Sequence, residues 1–210
     1  FTVADVTGDT NADLTVSANF YNSYQTSVAC SLVKAGPGTM AMTADNYYTG
    51  TTTVNDGTLL VSGSLASPTV NVNDGGTLLV SGRSPLPSAL VVVASNGTFG
   101  AEVTAATSVT NLTFAEGAKV AWNYDGGART AGWVNVTGTL SLPAAAVVKL
   151  NGTGTLRTGQ VLFTAGTVEG ATDLSGWSFE NKPKGVFVRA GLFRNQVVLL
   201  VSTGTMVCVW

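Results

Sequence analysis

Oxygen-bearing side chains crowd one short segment near the start of the chain and form its densest set of candidate metal ligands. They stand at alternate positions, as Asp5, Thr7, Asp9, Asn11 and Asp13. Such carboxylate, amide and hydroxyl oxygens are the ligands that Ca²⁺ prefers. The glycine of this segment is Gly8, however, and no glutamate follows at the twelfth position, so the twelve-residue calcium loop is not matched. We therefore interpret the segment as a polar turn between two strands and predict neither a metal nor another cofactor.

The acid–base chemistry of an enzyme has few candidate residues in this chain. There is no histidine, which removes the usual general base and the commonest metal ligand. The two cysteines are far apart in sequence and make no zinc pattern. The carboxylates lie in predicted turns or stand alone, as Asp56, Asp74, Asp125, Glu102, Glu116, Glu169 and Glu180. No pair of them recurs at the spacing that a two-carboxylate site requires, so we predict that the chain is not an enzyme.

The elements that must position these side chains repeat every 19 to 21 residues. One apolar column reads Met40, Leu59, Leu78, Phe99, Val120, Leu140 and Val161. A second apolar column, two places on, reads Met42, Val61, Val80, Ala101, Trp122, Leu142 and Phe163. Two places before the first column stand Gly38, Gly57, Gly76, Gly97, Ala118, Gly138 and Gly159. Repetition at this period indicates a solenoid, and the alternation of apolar and polar positions predicts that its rungs are β-strands.

A second strand precedes each turn in the middle of the chain, with inward pairs such as Val70 and Val72. The turns between the two strands are rich in Asn, Asp and Gly, which adopt left-handed backbone angles most readily. Asn-Asp-Gly also closes antiparallel hairpins, but the near-identical rows favour identical coils stacked in parallel. The predicted fold is therefore all-β, a right-handed parallel β-helix of about ten coils whose outside carries ladders of threonine.

The register divides the chain into three segments. They are an N-terminal β segment over 1–35, regular β-helix coils over 36–165, and less regular coils with a terminal apolar strand over 166–210. Breaks in the pattern predict loops at 83–88 and 123–127, and a longer loop within 170–184 that carries Trp177.

Composition excludes several classes of partner. Charged residues make up 10% of the chain, against roughly 25% in an average soluble domain. The net charge is −2 without a basic cluster, so we predict no nucleic-acid partner. No apolar run approaches the roughly 20 residues of a membrane helix, so we predict no membrane insertion. The chain begins at Phe1 without a signal peptide, as expected for an exported protein that has lost its leader or for a piece of a longer one; an intracellular repeat protein is the alternative.

The stretch Gly36–Gly63, GPGTMAMTADNYYTGTTTVNDGTLLVSG, resembles the passenger-associated repeat of bacterial autotransporters. In that repeat a Gly-Thr-Leu strand leads to an Asn-Thr-Tyr-Thr-Gly turn and a Thr-Thr-Val strand. Here Asn46–Gly50 and Thr52–Val54 supply the turn and the second strand. The resemblance covers 28 of the 210 residues. It implies a secreted or cell-surface β-helix protein.

Cys30 and Cys208 lie 178 residues apart, which corresponds to roughly nine coils or about 40 Å along a straight β-helix. A disulfide needs α-carbons about 5.5 Å apart, so an intrachain bond does not fit this geometry. Two interpretations remain. The cysteines are buried thiols that act as small apolar groups, or Cys208 of one subunit forms a disulfide with Cys30 of the next.

Both ends of the sequence look like strands without a polar cap. The chain begins with Phe1 and Val3 and finishes on the apolar residues Val207, Val209 and Trp210. We expect these ends to pair between molecules, in a heterologous contact that does not close. The sequence thus predicts a secreted structural protein that self-associates head to tail into an extracellular filament or surface assembly.

The alternative function is that of a cell-surface adhesin or a glycan-binding passenger fragment. Aromatic rings at Tyr47, Tyr48, Tyr124 or Trp133 would then stack on sugar rings, with the loops 83–88 and 123–127 beside them. Surface glycans are therefore the second expected partner, after another copy of the chain itself.

Overall fold

The computed structural model of the chain describes residues 1–24, 28–82, 85–102, 107–127 and 130–203, with β-strands and no α-helix among them. The strands are β1 (Leu14–Val16), β2 (Leu32–Lys34), β3 (Thr39–Met42), β4 (Asp45–Asn46), β5 (Thr52–Val54), β6 (Gly57–Val61), β7 (Ser64–Leu65), β8 (Thr69–Val72), β9 (Gly76–Val80), β10 (Leu86–Val93), β11 (Thr98–Ala101), β12 (Thr107–Phe114), β13 (Lys119–Asp125), β14 (Thr130–Ala131), β15 (Val134–Leu142), β16 (Val147–Thr153), β17 (Val161–Gly170), β18 (Ser178–Glu180), β19 (Val186–Phe193) and β20 (Gln196–Thr203).

These strands form two large sheets that the chain visits alternately. Sheet 1 has the order β1-β3-β6-β9-β11-β13-β16-β18, with β14 attached to β13. Sheet 2 has the order β2-β5-β8-β10-β12-β15-β17-β20-β19, and β4 pairs with β7 in a small third sheet. Neighbours in the long order of sheet 1, and those of sheet 2 from β2 to β17, pair in parallel. The predicted parallel β-helix is confirmed, while its right-handedness and the count of about ten coils stay predictions.

The sequence columns coincide with strand register over the first five rows. Met40 pairs with Leu59, Leu59 with Leu78, Leu78 with Phe99 and Phe99 with Val120. All five side chains are buried. The residue before each of the first four is a threonine on the outer face, and these form the in-register ladder Thr39, Thr58, Thr77 and Thr98. Each fully buried aliphatic or aromatic side chain of such a column stabilises the fold by about 1.5–3 kcal/mol.

After Val120 the predicted columns are wrong. Val120 pairs with Val148 in sheet 1, whereas Leu140 lies in sheet 2 next to Leu112. The reason is an insertion: β13 continues to Asp125 and turns back antiparallel into β14, so this coil needs more residues. Because β15 also alternates buried and less buried positions, its period-two pattern imitates the missing sheet 1 row.

Left-handed backbone angles mark the corners where the turn residues were predicted. Gly57 has a φ of 63°, and a Cβ there would collide with the carbonyl oxygens of Gly36 and Gly38 in the neighbouring coil. Asn96 holds a φ of 59°, which asparagine tolerates better than most residues. The corners are therefore fixed both by backbone angle and by the close stacking of successive coils.

Three of the predicted loops are shorter than expected. Arg83 and Ser84 lie outside the described residues, but β10 already begins at Leu86 and carries a register shift between Leu86 and Leu90. The segment 123–127 is mostly strand, since β13 extends through Asp125. Within 170–184, β18 forms a further parallel rung on β16, and Trp177 is buried.

An antiparallel hairpin ends sheet 2 in the described part of the chain. β20 pairs antiparallel with β17 on one side and with β19 on the other. The apolar run Val197–Val201 is consequently an interior strand, with Val197 and Leu199 fully buried. The expectation that this run is an unsealed, sticky end is wrong, because the chain folds back and covers it with β19.

The first residues of the chain form less strand than expected. Thr2 makes a single parallel bridge to Ala35, and β1 lies on β3 with Leu14 opposite Met40. Leu14 and Val16 thus extend the inward columns of sheet 1 by one row.

Candidate functional site

The acidic segment near the N terminus is a set of backbone caps. One carboxylate oxygen of Asp13 accepts hydrogen bonds from the Val6 and Thr7 amides and the other accepts one from the Thr39 amide, at 2.8 to 3.1 Å. The Thr39 and Val6 amides, in this order, lower the pKa of Asp13 from 3.8 to about 2. Asp5 and Asp9 accept bonds from the amides of Gly8 and Asn11 within their own loop. Over the described ranges, no group of three or more His, Cys, Asp or Glu residues is placed to hold a metal ion.

A buried lysine at the first coil escaped the sequence reasoning. Lys34 is fully buried, and its Nζ donates to the carbonyl oxygens of Gly36 at 2.8 Å, Asp56 at 2.9 Å and Ala35 at 3.3 Å. Burial lowers the pKa of Lys34, against the charges of Asp56 and Asp13, which raise it. Its register partner in sheet 2 is Val54, so the inward column of sheet 2 already contained the signal.

Exposed aromatic rings collect at the N-terminal tip, which we define as the surface formed by Phe1, Phe20, Tyr21, Cys30 and Tyr47. The ring of Phe1 stacks on Phe20 with centroids 5.8 Å apart, and Tyr21 stacks on Tyr47 at 5.2 Å. Next to them a cleft of about 270 Å³ is lined by Phe1, Asn19, Phe20, Tyr21, Cys30, Ser31, Leu32 and Tyr48. Contiguous exposed apolar surface of this kind is typical of interaction sites.

The cysteine at this tip is exposed. Cys30 is a free thiol, so the interpretation as a buried apolar group is wrong for this residue. Its amide donates to Asn22, which holds the segment at the surface instead of in the interior. Cys208 lies outside the described residues, and a disulfide between Cys30 and Cys208 of different subunits stays a prediction.

The opposite tip, which we call the C-terminal tip, is the outer side of the β19–β20 hairpin. Its side chains include Phe187 (48% exposed) and Phe193 (62% exposed), and Arg194 lies over the Phe193 ring at 5.6 Å. β19 is the last strand of sheet 2 among the described residues. Two antiparallel steps, from β17 to β20 and from β20 to β19, give β19 the same direction as the coils.

The predicted assembly residues have different environments. Phe1 is 56% exposed, whereas Val3 is buried, with its amide bonded to the Ala35 carbonyl at 2.8 Å. Val207, Val209 and Trp210 lie outside the described residues.

The aromatic residues predicted to stack on sugars separate into two classes. Tyr47 is exposed and belongs to the N-terminal tip. Tyr48 and Tyr124 are buried, and the hydroxyl groups of Tyr48 and Thr52 form a hydrogen bond of 2.7 Å. Trp133 is half-buried. The period-two pattern of a strand gives the inward or outward side only where its register is known.

The outer face of sheet 1 carries a groove of about 930 Å³ that the sequence did not reveal. It crosses β9, β11, β13 and β16, and its lining residues are Thr10, Thr77, Leu79, Thr98, Glu102, Ala121, Asn123, Tyr124, Lys149, Asn151 and Gly152. Its volume lies in the range of small-molecule sites. Because it combines side chains from four consecutive coils, no single motif could have predicted it.

Comparison with known proteins gives one family match. The model of the passenger-associated-transport-repeat matches residues 32–61, which run from β2 to β6 and so make one complete coil and the start of the next. This confirms the resemblance at Gly36–Gly63, and the family implies a secreted or surface-exposed protein. No curated protein matches the chain. In the described part of the chain, no helix has the length and apolar character to cross a bilayer.

Proposed function

We propose that this chain is a non-enzymatic, extracellular structural module, a β-helix rod that associates end to end with further copies of itself. The observation that carries the proposal is the contrast between a closed apolar interior, stacked over successive coils, and two unlike tips with exposed aromatic rings. The passenger-associated-transport-repeat at residues 32–61 supports the extracellular setting.

Charge is distributed unequally between the two tips, which supports a head-to-tail contact. Up to Asp56 the sequence contains five acidic residues, and its one basic side chain, Lys34, is buried. From Asn181 to Thr203 it contains four basic residues and no acidic one. Opposite charges on two different surfaces steer molecules into a heterologous contact and disfavour like ends meeting.

Strand direction supports the same contact. β19 runs parallel to the coils, as do β2 and the Thr2 bridge at the other end of sheet 2. An edge strand presents backbone amide and carbonyl groups that pair readily with another strand. β19 of one molecule set against the first coil of the next would therefore continue the parallel ladder of sheet 2.

Sedimentation velocity over a concentration series, with negative-stain imaging, tests this proposal. We expect rods one β-helix wide that lengthen with concentration and shorten at high salt, because salt screens exposed charges. Arg189→Glu should abolish growth, and Asp9→Arg in the same chain should restore part of it. Arg157→Glu, an equal charge change at another exposed position, is the matched control. Monomers at every concentration, or equal effects of both arginine variants, would contradict the proposal.

A second candidate function, that of a surface adhesin, is favoured by the Tyr21–Tyr47 pair. Their rings stack at an interplanar angle of 18°, and both side chains are exposed. An exposed aromatic pair with free polar edges suits amphipathic ligands such as sugars. Discrete monomers that bind glycans would favour this candidate over the rod.

A further inference from the structure

We propose that the groove on the outer face of sheet 1 is a binding site for a neutral oligosaccharide that lies across the coils, parallel to the solenoid axis. The inference goes beyond the proposed structural role. It rests on the second candidate function alone, to which it gives a site distinct from the N-terminal tip.

The groove has an apolar floor and hydrogen-bonding walls. Leu79 and Ala121 stand on either side of Gly100 in the register of three neighbouring strands, and Gly100 adds no side chain to the floor. The threonine ladder, with Thr77 next to Thr98, lines the groove on one side of this row. A sugar ring has the same two-sided character, with an apolar C–H face and a rim of hydroxyl groups.

Amide groups line the other side of the floor. Asn123 and Asn151 are register partners on β13 and β16, two residues beyond the floor position Ala121 and its neighbour. The Asn123 amide nitrogen donates to the Ala101 carbonyl at 2.7 Å, which fixes the orientation of this side chain. Asn151 is exposed and has no protein hydrogen bond within the described residues.

The length of the groove fits several sugar rings. Four parallel strands about 4.8 Å apart span about 14 Å along the axis. Hydroxyl and amide groups recur once per coil along this span, so a polymer with a regular series of hydroxyls meets the same kind of partner at each step.

Charge argues for a neutral ligand. Glu102 and Lys149 are the charged side chains that line the groove, and Lys149 also lies 4.0 Å from Glu180. One acid and one base leave no excess of either sign, so neither a phosphate polymer nor a polyuronate would gain from the site.

The backbone argues against a peptide. A peptide adds to a sheet through an unpaired strand edge. The groove instead lies on the face of sheet 1, where β9, β11 and β13 each pair with a neighbour on both sides. Side-chain hydroxyls and amides therefore carry the recognition, which suits a polyhydroxylated ligand.

Isothermal titration of the full chain with cellohexaose, chitohexaose and hexagalacturonate tests the proposal. We expect at least one of the two neutral sugars to bind and the anionic one to bind at least tenfold more weakly. Asn151→Trp, at an exposed position, should fill the groove and weaken binding by tenfold or more. Asn71→Trp, the same change on the outer face of sheet 2, is the matched control and should leave the affinity within twofold.

Thr77→Val with Thr98→Val removes the hydroxyls at almost constant volume, and we expect a fivefold to tenfold loss. Binding that resists Asn151→Trp but is lost in Tyr47→Ala would move the glycan site to the N-terminal tip and overturn this assignment. Failure of both neutral sugars to bind at millimolar concentration would overturn it as well. Neither result touches the assembly of rods, which is measured by sedimentation without sugar.

Discussion

Residues 32–122 repeat their coils at 19 to 21 residues, whereas in residues 123–203 the step in sheet 1 grows to 28 and then 31 residues, from Val120 to Val148 and to Phe179. In the first region the main-chain ladders place each side chain directly over its equivalent. In the second, side chains tie the longer connections down, as when the Trp177 indole donates to Pro143 and Asn195 donates to Gly166. Coils of equal length thus position residues through backbone pairing alone, and coils of unequal length require specific polar contacts and a closing hairpin.

The largest expected effect tests whether the C-terminal hairpin belongs to the core. Val197→Asp places a carboxylate at a fully buried position of β20 and should lower the free energy of unfolding by more than about 3 kcal/mol. Leu200→Asp, three residues on and 40% exposed, should change it by no more than about 0.5 kcal/mol. Urea denaturation measures both. Equal small effects would mean that β20 is not packed on the coils, and the contrast between the regions would fail.

A glycine pair tests the close stacking of the regular coils. Gly57 and Gly8 both have positive φ, of 63° and 68°, so alanine is strained at either position. At Gly8 no atom lies within reach of an added Cβ, and the cost should be about 1 kcal/mol. At Gly57 the Cβ meets carbonyl oxygens of the next coil, and the loss should be at least about twice as large. Similar losses, measured by the same unfolding curves, would show that the coils separate easily.

A tryptophan pair compares polar contacts in the two regions. Trp122 and Trp177 are 1% and 5% exposed, but the Trp122 indole nitrogen has no hydrogen-bond partner among the described residues. The Trp177 indole donates to the Pro143 carbonyl at 3.1 Å. Replacement by phenylalanine should therefore cost about 1 kcal/mol more at Trp177 than at Trp122. The reverse order in thermal unfolding would contradict the role given to side-chain bonds in the second region.

The smallest expected effect concerns the acidic loop on the first coil. The pKa of Asp13 is held at about 2, so this carboxylate stabilises the folded state above pH 3.8 and loses that contribution as the pH falls towards 2. Asp13→Asn should flatten the fall of stability between pH 4 and pH 2. Asp74→Asn, in an exposed turn, is the control and should leave the slope unchanged. Identical slopes for the wild type and Asp13→Asn would remove the capping role.

The sequence predicted the regular region well because its physical signals are local. Glycine and asparagine at the corners, and alternation within each strand, gave the register from Met40 to Val120 correctly. It failed after Val120 because a hairpin insertion shifts the register while β15 keeps a similar alternation.

The candidate surfaces were harder to predict than the fold. Lys34 was overlooked because its carbonyl partners come from two different turns. The groove on sheet 1 combines residues from four coils, and the hairpin reverses strand direction without any change in composition. Apolar content alone marked Val197–Val201 as an open end, although pairing on both sides makes it interior.

Disulfide trapping of neighbouring rungs tests the parallel stacking of coils most directly. In a chain with Cys30→Ser and Cys208→Ser, cysteines introduced at Thr58 and Thr77 are register partners about 4.8 Å apart on the outer face of sheet 1. Mild oxidation should join them within one chain. Cysteines at Thr58 and Leu79 are offset by two residues, with α-carbons about 8 Å apart, beyond the reach of a disulfide. Efficient bonding in the offset pair, or none in the register pair, would contradict the stacked parallel coils.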